Sequence, residues 1–175
     1  MKVFLNAGHA PGGNPDPGTC GYGLRECDVA KSVADLVERY LVDAGVEVVG
    51  NMQDDSLYAI TSAANESEAD VFLSIHCNAF NGEAHGTETC VYPGSTRSSQ
   101  LGECIQRQIV DALGTTDRGL KDRGGLYVLK HTDMPAVLVE LAFIDNEDDA
   151  ELLRDNQDDF ARAIARGVTD YEQML

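Results

Sequence analysis

The chain has 175 residues, 43% of them hydrophobic and 25% charged, and 30 acidic against 13 basic side chains give it a formal net charge of -17. That balance excludes a nucleic-acid binder, which needs Lys and Arg to replace phosphate counterions, and an anionic membrane surface as a partner. No apolar run approaches the roughly 20 residues that cross a bilayer, so no membrane insertion is expected, and the length suits one domain over residues 1–175.

A strand pattern from Lys2 to Asn6 begins almost at the N-terminus and leaves no room for a secretory signal, which implies a trimmed domain or another route out of the cell. The loop from Ala7 to Arg25, rich in Gly, Pro and Asp, is longer than most connections and is therefore suspected of function. From Glu26 to Ala44, Val29, Val33, Leu36, Val37, Tyr40 and Leu41 recur at helical spacing, and Gly45 ends the helix. Val46 to Val49 reads as a strand, Ser56 to Glu68 as a helix and Val71 to Ile75 as a deeply buried strand. Gly86 to Tyr92 alternates like a strand with unequal faces, antiparallel to a neighbour, and Ser98 to Leu113 is helical. Leu126 to Leu129 and Ala136 to Leu141 read as short strands, followed by acidic helices over Glu147 to Arg154 and Asp158 to Tyr171. This βαβ rhythm predicts an α/β fold: a single domain with a mixed, mostly parallel sheet of about six strands and helices on both faces.

Three apolar runs end in side chains that bind metals or move protons: VFLNAG leads to His9, VFLSI to His76 and AVLV to Glu140. In an open parallel sheet, residues just past different strands meet in the crevice beyond the carboxyl ends. Imidazole nitrogens and a carboxylate oxygen suit zinc, and a catalytic zinc keeps three protein ligands. His9, Glu26 and His76 supply that set, while Glu140 remains as the carboxylate that takes a proton from water and passes one to the leaving group. Each residue also has a plainer explanation: a hydrogen-bonded structural histidine, an acidic first-turn residue at Glu26, a paired glutamate at 140. Their parallel placement favours the metal. His85 and His131 lie in polar loops and are not read as ligands. Five cysteines, an odd number without a CxxC pair, point to reduced thiols, with a Cys20 to Cys27 staple as the alternative.

The segments GHA at His9, DPG at Asp16, RECDVA at Glu26, AAN at Asn65, SIHCNA at His76, GLYVL at Gly125 and MPAVLVELAFIDN at Glu140 together resemble the zinc-dependent N-acetylmuramoyl-L-alanine amidases. The resemblance covers nearly the whole chain. It implies hydrolysis of the amide between N-acetylmuramic acid and L-alanine in peptidoglycan, at the cell wall, in an autolysin or endolysin. One Zn²⁺ held by His9, Glu26 and His76 is implied, with Glu140 as the catalytic acid/base. A zinc peptidase of related fold and a catalytically dead wall-binding protein are the rival readings. Two departures stand out: the family's DPGHGG is split here between Gly8–His9 and a later Asp16–Gly18, leaving the loop path open, and Thr61 replaces an Arg common before AAN. Regulated relatives insert a site-blocking helix where this chain has only Pro93 to Ser99, so an open site is expected. Lys121, Arg123 and Lys130 are candidates for holding a carboxylate of the stem peptide. The acidic excess suggests that a separate wall-binding module or partner supplies targeting.

Overall fold

The computed structural model describes residues 1–175. Strand β1 (Lys2–Ala7) runs into the long loop, whose end folds into a small hairpin of β2 (Cys20–Gly21) and β3 (Leu24–Arg25) before helix α1 (Glu26–Asp43). Then come β4 (Glu47–Gln53), α2 (Leu57–Glu66), β5 (Val71–Asn78), β6 (Thr87–Val91), α3 (Thr96–Leu113) and β7 (Asp117–Asp122). A short α4 (Tyr127–Lys130), β8 (Ala136–Phe143), α5 (Glu147–Asp155) and α6 (Gln157–Glu172) complete the chain. The main sheet has six strands in the order β4-β1-β5-β8-β6-β7. β1 pairs in parallel with both β4 and β5, and β5 with β8, whereas β6 runs antiparallel to β8 and parallel to β7.

The expected mixed, mostly parallel α/β architecture is therefore present, with one exchange of strands. Leu126 to Leu129, read as a strand, lies across the start of a single helical turn whose Val128 and Leu129 are buried. A four-residue apolar run has no period long enough to separate strand from helix. The sixth strand is instead Asp117–Asp122, DRGLKD, which no hydrophobic alternation announces. It is an edge strand bonded to β6 alone, so it needs no second apolar face.

The helices form because their apolar residues share one stripe. In α1, Val29, Ala30, Val33, Ala34, Val37 and Leu41 are buried at spacings of three and four, and full burial of a Val or Leu contributes about 1.5–3 kcal/mol. This stripe, with those of α3 and α6, packs on Val3, Leu5, Leu73, Ile75, Val137 and Val139 in a core cluster of 32 residues. The alternate strand residues Phe4, Phe72, Ala136, Leu138 and Cys90 face the other way, where α2 and α4 cover them in a cluster of only 10 residues. Ser56 starts α2 by accepting from the amide of Ala59, and Asn65 fastens its end by donating to the carbonyl of His131 and accepting from the amide of Asp133. Thr61, where an Arg was expected, is buried and spends its hydroxyl on the carbonyls of Leu57 and Tyr58.

This thin cover leaves a crevice beyond the carboxyl ends of β1 and β5. Chain order reverses there, because β1 connects first to β4 on one side and the chain then returns as β5 on the other. Ligands in open α/β sheets sit at such a switch point.

Candidate metal centre

His9 stands two residues past β1 and His76 near the end of β5, so the parallel pairing of the two strands brings their rings to a centroid separation of 5.1 Å. Glu26, the first residue of α1, lies beneath them and is 2% exposed. Its Oε2 is 2.9 Å from His9 Nε2 and its Oε1 2.9 Å from His76 Nδ1. One ligand atom from each of the three residues falls within 4.8 Å of the others. Glu140 lies across the β5–β8 register from His76 but makes no hydrogen bond to the cluster, and its Oε2 is buried without a partner.

The loop path that the sequence left open is fixed by Asp16. Its Oδ2 lies 2.7 Å from His9 Nδ1 while its Oδ1 accepts from the amide of Gly18. The displaced DPG thus comes back to the first histidine and turns Nε2 toward Glu26. Thr19 donates its amide and its hydroxyl to Glu26 Oε2, and the amide of Cys77 donates to Oε1. Gln53, at the end of β4, donates to the carbonyls of Gly8 and Cys27 and so ties the loop to α1. Gly18 has φ of +69°, and a Cβ there would lie 2.5 Å from His9 Cδ2 and 2.6 Å from Glu26 Oε2. Only glycine lets the backbone pass so close.

The electrostatics follow from these contacts. A hydrogen bond donated to the Glu26 carboxylate, helped by one to Asp16 and opposed by burial, raises the pKa of His9 to about 9 in the metal-free protein. Burial opposes ionisation of Glu26, but its hydrogen bonds with His76 and His9 outweigh this and hold its carboxyl well below the usual range. Burial pushes Glu140 up to about 7; the charge of His76 opposes the shift, and Glu26 and Glu88 add to it. The two carboxylates thus separate, one fixed as an anion amid donors and the other pushed by burial toward its neutral form.

A cavity of about 310 Å³ opens beside the cluster, bounded by His9, His76, Leu57, Tyr127 and the carboxylates Asp16, Asp54 and Asp55. His131 stacks on Tyr127 at 3.9 Å, and His85 bonds the carbonyl of Glu83, so neither joins the cluster. All five cysteines are free, and Cys20 is exposed while Cys27 is buried, so the staple is absent. Sequence reasoning missed Asp16, Thr19, Gln53 and the buried Glu88. Asp16 alone carried a signal, the DPG turn.

Two imidazoles and a carboxylate around one point, with a second carboxylate free beside them in a strand-end crevice, are the arrangement of metal-dependent hydrolases. The family model described as N-acetylmuramoyl-L-alanine amidase matches residues 3–170. The chain belongs to this family of peptidoglycan amide hydrolases. It is 37% identical to the N-acetylmuramoyl-L-alanine amidase LytC of Bacillus subtilis, over 97% of this chain and 35% of that protein. It is also 37% identical to the endolysin of Bacillus phage SPP1, over 94% of this chain and 62% of that one. It therefore spans less than two thirds of either relative. The crystal structure of an N-acetylmuramoyl-L-alanine amidase from Clostridium difficile superposes with a TM-score of 0.90 at 31% identity, covering 98% of this chain and 96% of that one.

Proposed function

We propose that the chain cleaves the N-acetylmuramoyl-L-alanine amide with one Zn²⁺ held by His9, Glu26 and His76, and with Glu140 as the acid/base. The donor set fits the metal: two nitrogens and one carboxylate oxygen are zinc's preferred ligands at a catalytic site. Asp16 behind His9 is the outer carboxylate that commonly orients a ligating imidazole. When bound, the ion supplies a Lewis acid that polarises the amide carbonyl and acidifies water.

Glu140 accepts the proton of the attacking water as the new C–O bond forms, then delivers a proton to the nitrogen of L-alanine as the C–N bond breaks. A carboxyl poised near neutrality serves both halves of that exchange. The observation that carries this reading is the pairing of a three-ligand cluster with a buried carboxylate oxygen that has no partner. In this reading only Tyr92–Ser95 separate β6 from α3, so the site works without an activator, and the acidic surface leaves wall targeting to a separate module or partner.

Equilibrium dialysis against zinc tests the ligand set. The wild-type chain and Glu140→Gln should each retain one ion, while His76→Ala should lose it. Stoichiometric zinc in folded His76→Ala would remove His76 from the set.

A further inference from the structure

The sheet carries one more charged feature, on the same face as the metal cluster. His76 on β5 lies across from Glu140 on β8, and Glu140 across from Glu88 on β6. Cross-strand partners share a face, so the three side chains form a row leading away from the metal site toward the edge strand β7. Glu88 is 4% exposed and would be costly as a lone buried anion. It is compensated by Arg118, whose Nε donates to Oε2 at 2.8 Å, and by Arg123, whose Nη2 lies 3.7 Å from Oε1. Lys121 lies opposite Cys90, two residues along β6 from Glu88, and its Nζ donates to the carbonyl of Arg118.

Three cations thus gather at one edge of the catalytic face of a chain whose net charge is -17, and Glu88 is the one carboxylate paired with any of them. The Arg123 side chain is 51% exposed and that of Arg118 is 34% exposed, so both can still meet a ligand. The three carboxylates that line the cavity, Asp16, Asp54 and Asp55, lie on the β1 and β4 side of the cluster, and the lining includes neither Lys nor Arg. An anionic group on a substrate spanning the metal site is repelled on that side and attracted toward β7.

We propose that Arg118, Lys121 and Arg123 form a subsite for a carboxylate on the peptide side of the scissile amide, and so set the direction in which the substrate lies. The inference rests on the amidase reading. The sugar side of that amide is a neutral N-acetylated ether, so carboxylates belong to the peptide. From β5 to β7 is three strand spacings, about 14 Å, and an extended peptide rising about 3.4 Å per residue covers it in about four residues. The long basic side chains shorten that to two or three, which places the recognised carboxylate on the second or third residue. Glu88 is the positioning residue: its Oε2 holds the Arg118 guanidinium, and its Oε1, which accepts from Asn78 Nδ2, draws Arg123 to the same edge as an ion pair. Lys130, the remaining basic candidate, lies beside Ser95 and Pro135 at a different surface and takes no part.

The test uses soluble muramoyl peptides that carry the second-residue carboxylate free or amidated, with kcat and KM measured separately on zinc-loaded protein. The free form should show a KM lower by about tenfold, the scale of a charge-assisted contact, with kcat nearly equal. The double variant Lys121→Gln/Arg123→Gln, which leaves the Arg118–Glu88 pair intact, should remove most of that preference. Calorimetric binding of the released peptide should weaken in the same variant, a readout that needs no turnover. Equal KM for both substrates in the wild-type chain, or a preference that survives the double variant, overturns the subsite. Loss of the basic-residue effect only on walls stripped of phosphate polymers, with none on soluble peptides, would reassign the patch to wall phosphate and also overturn it. Failure to cleave either substrate despite bound zinc would instead count against the amidase reading.

Discussion

The sheet has two faces, and they differ in what covers them. On one, the stripes of α1, α3 and α6 bury Val3, Leu5, Leu73, Ile75, Val137 and Val139 in the larger core cluster. On the other, α2 and α4 cover the lower half, and the upper half holds Asn6, Ser74, His76, Glu140 and Glu88. The same strands supply both, one residue out of phase. Stability concentrated on the first face lets the second carry buried polar and ionisable groups that contribute little to folding. Asn6 and Ser74 show how this is arranged: the Ser74 hydroxyl donates to Asn6 Oδ1, and Asn6 Nδ2 donates to the carbonyls of Ala7 and Met52, so the floor of the crevice is satisfied internally.

The sharpest way to break this contrast is Glu140→Gln. Turnover should fall about 10²- to 10⁴-fold, the usual contribution of a positioned acid/base, while the metal-free variant melts no lower than the parent, because a buried oxygen without a partner loses its charge. A drop in stability of more than about 1 kcal/mol would mean that Glu140 serves the fold. Phe160→Ala, in α6 beneath the other face, should do the reverse. It should cost about 3–5 kcal/mol in denaturant unfolding and leave kcat per folded molecule unchanged, since Phe160 is fully buried in the large cluster. Asp16→Asn lies between these extremes. Loss of the carboxylate behind His9 should weaken zinc binding about 10- to 100-fold in competition with a chelating dye, with little change in unfolding because Asp16 is largely exposed.

How much of this is legible in the sequence follows the same division. The covered face announces itself: the α1 stripe has a helical period, β5 and β8 open on the largely apolar runs VFLSI and AVLV, and the residues that follow those runs mark the site. The open face is less visible. β7 reads as DRGLKD because an edge strand bonded to a single neighbour carries no apolar pattern, whereas Leu126 to Leu129 looks like a strand and falls on a cap and a helical turn of which Val128 and Leu129 are buried. Glu88 sits in an alternating strand, but its value depends on cross-strand neighbours at positions 118, 123 and 140, which no local pattern encodes. The return of Asp16 to His9 is likewise a property of the folded loop. The DPG triplet marks a turn, but the hydrogen bond that makes the turn useful appears only when Gly18 passes within contact of both His9 and Glu26.

The most direct test of the account digests purified sacculi with the zinc-loaded chain, with and without a chelator, and identifies the new termini by mass spectrometry. The predicted result is intact stem peptides with a free L-alanine amino terminus, uncut glycan strands, loss of cleavage with chelator and recovery on adding zinc. New termini within the stem peptide, or cleavage that persists after the metal is removed, would contradict it.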